Sequence, residues 1–242
     1  LLHEFHMRKH LVPDRLPKAE RERVAKAAGM KKAGLDEDDL GFGPPDDVEA
    51  DGGPSKANKG RKRGKPQYAG GLVLEPKKGL YDNFVIMMDF NSLYPSIIQE
   101  YNIDFTTVPL AKAAEEAAAA EAGVAPAPPP LPNPDLAQGI LPSTIRKLVQ
   151  RRREVKNLMK KERNRGMWEQ LNIRQLALKI TANSMYGCLG FANSRFYAKP
   201  LAMMVTSQGR EILQSTADLV QVKLGLDVVY GDTDSIFVNT GK

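Results

Sequence analysis

Apolar and polar residues follow two different patterns along this chain, and each pattern predicts a different kind of element. Short runs rich in β-branched and other apolar residues occupy 72–74 and 84–90, which predicts a short strand and a buried strand. Residues 92–101 are predicted to form a helix with Pro95 in its first turn. Residues 226–239 are expected to form a strand, a tight turn and a second strand.

Three longer segments are predicted to be helices, over residues 143–165, 168–187 and 203–224. Apolar residues of the first segment recur at helical spacing. Ser143 follows a proline and is the predicted N-cap of that helix. Gly225 is predicted to end the third helix. Strands that are separated by long helices predict a fold that mixes both kinds of element.

Two segments lack the apolar content of a folded core. Residues 14–67 are rich in Lys, Asp, Gly and Pro, and burial would not offset the entropy of ordering them, so we predict that they are mostly disordered. Their basic patch at residues 59–65 suits a nuclear-import signal or a nucleic-acid contact, although a solvated charge run is the simpler interpretation. Residues 111–138 pass from an Ala-rich stretch into a proline run, which predicts a short helix and a stiff linker.

Length, charge and cysteine content narrow the functional classes. The 242 residues suffice for one large domain or two small ones, and the formal net charge of +6 favours polyanionic partners. The single cysteine, Cys188, excludes an intramolecular disulfide and a cysteine-based zinc site within this sequence. No apolar run approaches the ~20 residues of a membrane span, so a soluble intracellular protein is expected. Because the sequence starts with Leu1, we interpret it as an internal part of a longer protein.

Carboxylates stand at the ends of two apolar strands that are far apart in sequence. Asp89 follows the apolar run 84–88, and Asp232 and Asp234 follow the run 228–230. Mg²⁺ prefers oxygen ligands and takes one or two carboxylates together with substrate phosphates. A polar hairpin turn is the alternative interpretation of the Asp-x-Asp element. The matching acid at the end of another strand favours a metal site for phosphoryl transfer.

The predicted helix at 143–165 is strongly basic. From Thr144 to Arg165 the sequence holds ten Lys or Arg and two Glu. Arg152 lies on the apolar stripe of the helix, and Lys156 follows one turn later, about 40° further round. Unpaired cations are not expected to pack into a core, and a cleft that is filled by a triphosphate would suit them. A helix that extends its basic side chains over a surface is the alternative.

The next predicted helix places three polar chemistries on one face. Lys179, Asn183 and Tyr186 lie at positions i, i+4 and i+7, within about 60° of each other. A cation, an amide and an aromatic ring suit phosphate, sugar or base edge, and base plane. Gly187 would let a backbone or a base pair approach closely. The alternative is an ordinary amphipathic helix in which Tyr186 belongs to the core.

Three segments resemble the signature motifs of family B DNA polymerases. Residues 89–98, Asp-Phe-Asn-Ser-Leu-Tyr-Pro-Ser-Ile-Ile, resemble motif A. Residues 179–187, Lys-Ile-Thr-Ala-Asn-Ser-Met-Tyr-Gly, resemble motif B, and residues 230–235, Tyr-Gly-Asp-Thr-Asp-Ser, resemble motif C. Residues 68–71, Tyr-Ala-Gly-Gly, are similar to an element upstream of motif A. The motifs are long, specific and in the order of the family.

The resemblance implies an α+β fold with an antiparallel-sheet palm, packed helices, a helical-hairpin fingers subdomain and two disordered inserts. With its flanks, the resemblance covers residues 68–108 and 139–240. The implied boundaries are a largely disordered upstream segment at 1–67, a first palm part with motif A at 68–110, an Ala/Pro-rich flexible insert at 111–138, fingers helices with motif B at 139–188, and a second palm part with motif C at 189–242.

The resemblance also implies roles for the acidic residues. Asp89 and Asp234 would be ligands of two Mg²⁺ ions, for which Mn²⁺ is the alternative, and the Phe90 carbonyl would help to hold the ion on the nucleotide side. Asp232 would be the supporting, less essential acid. Lys179 would be catalytic as well, by donating a proton to the leaving pyrophosphate.

The implied binding residues fall into two groups. Those for the nucleotide hold its phosphates, sugar and base: Ser92, Leu93, Tyr94, Arg152, Lys156, Lys179, Asn183 and Tyr186. Those for DNA lie near the template backbone and the nascent base pair: Tyr68, Gly70, Gly71, Tyr186 and Gly187. Tyr94 would pack under the sugar and exclude a 2′-hydroxyl group.

The implied reaction is template-directed DNA synthesis, in which a primer 3′-hydroxyl attacks a deoxynucleoside triphosphate by two-metal phosphoryl transfer. Primer–template nucleic acid and deoxynucleoside triphosphates are the implied partners, with no membrane. The flanks are most similar to the alpha-type branch of the family, which implies extension of RNA primers, association with primase and accessory subunits, and a nuclear location. Asp104 departs from that branch, where cysteine is expected.

Two other functions remain open from the residues alone. A nucleotide-sugar transferase also uses Asp-x-Asp to hold a metal-bound diphosphate, but it predicts no basic helix and needs no duplex. A catalytically inactive nucleic-acid-binding module would keep the scaffold without the chemistry. The three acids Asp89, Asp232 and Asp234 are all present, which argues against an inactive module.

Overall fold

The computed structural model describes residues 1–12, 69–110, 128–191 and 194–241. Most of the two predicted disordered inserts lies outside the described residues, as does Tyr68. The helices are α1 (Leu2–Met7), α2 (Leu93–Glu100), α3 (Ile140–Lys161), α4 (Arg165–Gly190) and α5 (Lys199–Asp218), which continues into a π-helical turn (Leu219–Lys223). The strands are β1 (Val73–Leu74), β2 (Val85–Asp89), β3 (Asp227–Asp232) and β4 (Ser235–Asn239).

Within these residues the strands form one antiparallel sheet in the order β1-β3-β4-β2. The two C-terminal strands form a hairpin at its centre, and the earlier strands pair on either side of them. The mixed α and β fold with an antiparallel sheet, implied by the resemblance, is therefore confirmed. Because β2 pairs with β4, the sheet brings motif A, at the end of β2, next to motif C, between β3 and β4.

Strand β2 exists as predicted, but the prediction that it is buried was wrong. All five of its residues are exposed, and Met87 is 65% exposed. The strand lies at the edge of the sheet, where it pairs with β4 alone. The apolar residues of β2 therefore favour a strand through their β propensity, although the described residues do not bury them.

The start of the basic helix also differs from the prediction. Helix α3 begins at Ile140, and Gly139 is its N-cap in place of Ser143. Pro142 is tolerated inside the first turn because an N–H at that position would have no intrahelical partner. The third predicted helix, α5, ends close to its predicted end, where Gly225 adopts a φ of +65°.

Helix α5 joins two apolar cores. Its first half packs with α2, the start of α3 and the end of α4, where Ile98, Leu141 and Leu201 are fully buried. Its second half packs on the sheet through Leu213, beside the β4 residue Ile236. The helical part and the sheet are thus fixed to each other through one element. None of the described helices is long and apolar enough to cross a membrane.

Candidate active site

The sheet places two of the three predicted acids beside the same residue. Asp89, the last residue of β2, pairs with Ser235 at the start of β4. Asp232, the last residue of β3, pairs with Ser235 from the other side. Directly paired residues project from the same face of a sheet. Asp89 and Asp232 therefore share one face at the end of the sheet, with one strand between them.

Backbone hydrogen bonds hold Asp234 against the end of β2. The N–H of Phe90 donates to the carbonyl oxygen of Asp234 at 2.8 Å. The N–H of Asp234 donates to the carbonyl oxygen of Asp232 at 2.5 Å across a tight turn centred on Thr233. We call the group of Asp89, Asp232 and Asp234 the acidic end of the sheet. Its three acids are fixed by backbone geometry and not by side-chain contacts alone.

The turn at the acidic end is strained. Thr233 adopts a φ of 51°, which is rare for a β-branched residue. Its N–H donates to the carbonyl oxygen of Leu72 at 2.8 Å, and its hydroxyl group donates to Asp232 Oδ1 at 2.9 Å. Strain of this kind persists where surrounding contacts determine the conformation, and it is frequent at functional sites.

Gly71 makes this turn possible. A Cβ atom at Gly71 would lie 2.5 Å from Thr233 Oγ1 and 3.0 Å from its Cγ2 atom. Only glycine fits there without a shift of the turn. Gly71 was predicted from the resemblance to bind DNA, and the structure places it against the acidic end.

Electrostatic repulsion connects the acids. The pKa of Asp234 is raised above its usual range because neighbouring protein atoms withdraw hydration, and then because the carboxylates of Asp89 and Asp232 repel its charge. The side chain still reaches solvent. The pKa of Tyr230 is also raised, through desolvation and the nearby charge of Asp232. A cation placed between Asp89 and Asp234 would relieve this repulsion.

The donor set fits Mg²⁺ that is shared with a substrate. No three His, Cys, Asp or Glu side chains form a complete metal site in the described parts of the chain. Mg²⁺ usually keeps several waters and binds one or two carboxylates plus phosphate oxygens. Asp89, Asp234 and the Phe90 carbonyl group would supply that smaller set of oxygen ligands.

The start of α2 lies directly after the acidic end. Its N-cap, Ser92, adopts a left-handed conformation with a φ of 53°. The N–H groups of Leu93 and Tyr94 belong to the first turn, where a helix offers no intrahelical acceptors. Such N–H groups attract anions, which agrees with the predicted contact of residues 92–94 with a triphosphate.

Two predicted nucleotide-binding tyrosines contact each other. The ring centroids of Tyr94 on α2 and Tyr186 on α4 are 4.4 Å apart. Gly209 on α5 leaves room for Tyr94, because a Cβ atom there would lie 3.2 Å from Tyr94 Cε1. The pair brings motif A and motif B together near the C-terminal end of α4. Gly187, the next residue of motif B, is exposed, and a Cβ atom there would meet nothing within 4 Å.

Helices α3 and α4 form an antiparallel pair, which we call the basic hairpin. Arg152 Nε on α3 donates to Gln175 Oε1 on α4 at 3.3 Å. Gln175 is buried, and its Nε2 donates to Asn172 Oδ1 at 3.0 Å. This contact holds Arg152 half-buried in the pair, whereas Lys156 is exposed one turn further along α3.

The predicted polar face of α4 is open to solvent. Lys179 and Asn183 are exposed, and Tyr186 is half-buried. Gln175 and Lys179 are four residues apart on one stripe, about 6 Å along the helix axis. Lys179 therefore follows the Arg152 contact by one turn, toward the end of α4 that carries Tyr186.

Three residues that shape the site were not predicted from the sequence. Arg210 on α5 donates through Nη1 to the carbonyl oxygens of Ala69 at 3.1 Å and Gly70 at 2.8 Å, and thereby fixes the segment before β1. Gln175 extends the polar stripe of α4 by one turn, a spacing that the sequence already showed. Gly209 inside a helix was a visible signal of close packing; nothing in the sequence pattern singled out Arg210.

Comparisons with known proteins agree with this geometry. The family profile described as DNA polymerase family B matches residues 1–242. A protein named DNA polymerase alpha catalytic subunit from Arabidopsis thaliana is 52% identical over all of this chain, and one of the same name from Mus musculus is 53% identical over 99% of it. The Xenopus laevis protein of that name is 60% identical over 76% of the chain.

A solved structure supports the fold. The structure of the family B DNA polymerase from the hyperthermophilic archaeon Pyrobaculum calidifontis is similar, with a TM-score of 0.54 and 35% sequence identity. The match covers 76% of this chain and 23% of the archaeal chain. The chain spans about 15% of the length of the Arabidopsis and mouse relatives. With the motifs brought together at one end of the sheet and the profile matched throughout, the chain belongs to DNA polymerase family B.

Proposed function

We propose that this chain is the palm and fingers part of a template-directed DNA polymerase that adds deoxynucleotides to a primer 3′-hydroxyl group. The observation that carries the proposal is the hydrogen bond from Phe90 N–H to the Asp234 carbonyl oxygen. It joins motif A to motif C and brings the charge of Asp89 close enough to raise the pKa of Asp234. Membership of the family and relatives named DNA polymerase alpha catalytic subunit support the same activity.

In this proposal, Asp89 and Asp234 hold two Mg²⁺ ions together with the Phe90 carbonyl group, and Asp232 supports them. Bound there, the ions would lower the pKa of the primer hydroxyl group and neutralise the leaving pyrophosphate. The protein itself contributes position and charge. The strained turn and the register of the sheet fix the ligand backbone before any substrate arrives, which limits the reorganisation needed during reaction.

The basic hairpin and α2 would bind the incoming nucleotide. Arg152, Lys156 and Lys179 would bind its triphosphate, and the N–H groups at the start of α2 would bind the same oxygens. Lys179 would also donate a proton to the pyrophosphate. These cations lie on the helix pair that packs beside the acidic end through the contact of Tyr94 with Tyr186.

The remaining residues would contact sugar, base and DNA. Tyr94 would pack under the sugar and exclude a 2′-hydroxyl group, and Asn183 and Tyr186 would border the nascent base pair. Gly187 is open enough for close approach of a base pair. Gly70 and the segment that Arg210 holds would lie near the template backbone.

The relatives named alpha catalytic subunit favour a replicative role. In that role the protein would extend RNA primers in the nucleus, together with primase and accessory subunits. An inactive nucleic-acid-binding module is the second candidate, and the intact acidic end argues against it. Family membership removes the support for a nucleotide-sugar transferase.

Primer extension by the complete protein tests the proposal. Asp89→Asn and Asp234→Asn should each reduce extension at least about 10³-fold, because losing a metal ligand removes several kcal/mol of transition-state stabilisation. Binding of the primer–template, followed by fluorescence anisotropy, should survive in both variants.

Asp227→Asn is the matched control, because Asp227 lies at the other end of β3, where it forms a salt bridge with Lys77. It should extend primers like the wild type. Extension at the wild-type rate by Asp89→Asn or Asp234→Asn would contradict the metal site. Duplex binding without extension by the wild type would identify an inactive module.

A further inference from the structure

The first turn of α3 receives its N-terminal cap from a distant loop. A helix leaves its first backbone N–H groups without intrahelical acceptors, and here these groups belong to Gly139, Ile140 and Leu141. Pro142 has no N–H, and Ser143 N–H donates to the Gly139 carbonyl oxygen at 3.2 Å. Three donors therefore need partners outside the helix.

Two side chains from the loop after α2 accept all three hydrogen bonds. Asn102 Oδ1 accepts from Gly139 N–H at 2.8 Å. Asp104 Oδ2 accepts from Ile140 N–H at 3.1 Å, and its Oδ1 accepts from Leu141 N–H at 2.9 Å. We call Asn102 and Asp104 the α3 cap. The α3 cap completes the hydrogen bonding of this helix end, although the N-cap residue itself is a glycine.

Asp104 is fully buried, which makes its hydrogen bonds important. Besides the two helix N–H groups, its Oδ2 accepts from Thr106 N–H at 3.1 Å and from Thr106 Oγ1 at 2.5 Å. Within the described residues no Lys, Arg or His forms a salt bridge with it. Its charge is stabilised by these four donors and by the positive end of α3. Loss of these donors would leave a buried carboxylate without hydrogen bonds, which costs free energy. Asp104 therefore favours the orientation of α3 in which its hydrogen bonds are kept.

Close packing leaves little freedom at this cap. A Cβ atom at Gly139 would lie 2.4 Å from Asp104 Cβ and 2.8 Å from its Cγ. Asn102 adopts a left-handed φ of 51°, and its Nδ2 also donates to the carbonyl oxygen of Ala137 at 3.1 Å. The loop after α2 thus forms hydrogen bonds with the chain on both sides of Gly139.

The cap controls the direction of a long helix that carries the predicted phosphate ligands. Arg152 lies 12 residues after Ile140, a distance of about 18 Å along the axis at 1.5 Å per residue. A tilt of about 5° at the cap would displace Arg152 by about 1.5 Å. A displacement of this size would lengthen the contact between Arg152 and a phosphate oxygen beyond hydrogen-bond distance, which would weaken nucleotide binding.

We propose that Asp104, assisted by Asn102, is a positioning residue for the incoming nucleotide and acts through α3 on Arg152 and Lys156. The inference rests on the proposed function, because it assigns those two cations to the triphosphate. Asp104 lies at the far end of the helix from them and does not itself touch the substrate. It connects motif A to the basic hairpin, since the loop that carries it follows α2 directly.

Asp104→Asn in the complete protein is the first test. An amide in place of the carboxylate turns a donor toward one of the helix N–H groups and leaves that group unsatisfied. The KM for the nucleotide should rise about fivefold or more, whereas kcat and primer–template affinity stay at wild-type values. Hydrogen exchange measured by mass spectrometry should become faster in the segment that contains Ile140 and Leu141.

Asn102→Gly is the second variant, because glycine tolerates the left-handed backbone and removes only the side-chain cap. It should raise the KM for the nucleotide less than Asp104→Asn does. Val220→Ala is the control for a general loss of stability, since Val220 is buried in the other core, near the sheet. It should lower the melting temperature and leave KM and exchange near α3 unchanged.

A wild-type KM in Asp104→Asn and Asn102→Gly, with faster exchange at the start of α3, would show that the cap only stabilises the fold and would overturn the inference. The same KM increase in Val220→Ala would overturn it too. These outcomes differ from failure of the proposed function, in which Asp89→Asn would retain wild-type extension.

Discussion

The acidic end of the sheet and the basic hairpin differ in how they hold their charged groups. At the acidic end, the backbone positions the charged groups. Strand register, a strained turn and the Phe90–Asp234 hydrogen bond fix three carboxylates at one end of the sheet. On the basic hairpin, Lys156 and Lys179 are exposed on a pair of long helices, and only Arg152 has a buried side-chain partner, in Gln175. The positions of the carboxylates are therefore set by the sheet itself, whereas the positions of the cations depend on the direction of their helices.

This difference has a physical cause. Carboxylates that repel each other must be held together by something other than their own contacts. The pKa of Asp234 is raised first by desolvation and then by the neighbouring charge of Asp89. Cations on an exposed helix cost little while they are solvated. We therefore expect substitutions at the acidic end to act on turnover, and most substitutions on the hairpin to act on nucleotide affinity. Lys179 is the exception, because its proposed proton donation to the pyrophosphate would affect turnover.

The largest effect on the hairpin should come from Lys179→Leu. A general acid contributes about 10²–10⁴-fold to a rate, so turnover at saturating nucleotide should fall by that order. Lys179→His should keep part of the turnover because histidine can still donate a proton, and Lys179→Arg should bind the nucleotide but donate poorly. Single-turnover incorporation measures this series, and full turnover by Lys179→Leu would refute proton donation by Lys179.

A smaller effect is expected from Gly71→Ala, which tests whether the turn at the acidic end must keep its geometry. The added Cβ atom would press on Thr233 and shift the turn that holds Asp234. We expect kcat to fall about tenfold to 10²-fold, in line with the cost of small misplacements. Gly79→Ala is the control, because a Cβ atom there would meet nothing within 4 Å and Gly79 has no predicted contact with DNA or nucleotide. Equal kcat values for the two variants would contradict a role for Gly71 in the turn.

An effect of similar size, on KM in place of kcat, should come from Arg152→Ala, which tests the basic hairpin. Loss of a charged hydrogen bond to phosphate costs about 1.5–3 kcal/mol, so the KM for the nucleotide should rise about tenfold to 10²-fold with a smaller change in kcat. Arg153→Ala, the exposed neighbour, is the control and should behave like the wild type. A lower kcat with an unchanged KM for Arg152→Ala would place Arg152 with the catalytic groups.

Much of the fold could be predicted from the sequence because its signals are local. The β3–β4 hairpin, α2 and the existence of the long helices follow from residue periodicity and turn residues. The exposure of β2 could not be predicted, because an apolar run does not say whether its strand lies at an edge. The start of α3 was misplaced for a similar reason: its cap comes from Asn102 and Asp104, which lie 37 and 36 residues before the groups they bind.

The candidate site was predictable to the extent that its residues carry recognisable chemistry. Asp89 and Asp234 stood out as acids at strand ends, and the structure brings their backbones together. Arg210 did not stand out, because its role depends on which segment packs against α5. Gly209 was visible as a glycine inside a helix, but the sequence did not show that Tyr94 packs against it. The DNA contact predicted for Tyr68 lies outside the described residues. The roles assigned to the hairpin cations stay predictions that the substitutions above address.

The central claim is that Asp89 and Asp234 serve one shared metal site. A double-mutant cycle with Asp89→Asn, Asp234→Asn and the double variant tests it, with single-turnover incorporation by the complete protein as the measurement. Groups that act as a unit give strongly non-additive losses. If Asp89 and Asp234 share one metal site, the double variant should be about as slow as either single variant. Losses that multiply across the two positions would show independent roles and contradict the shared site.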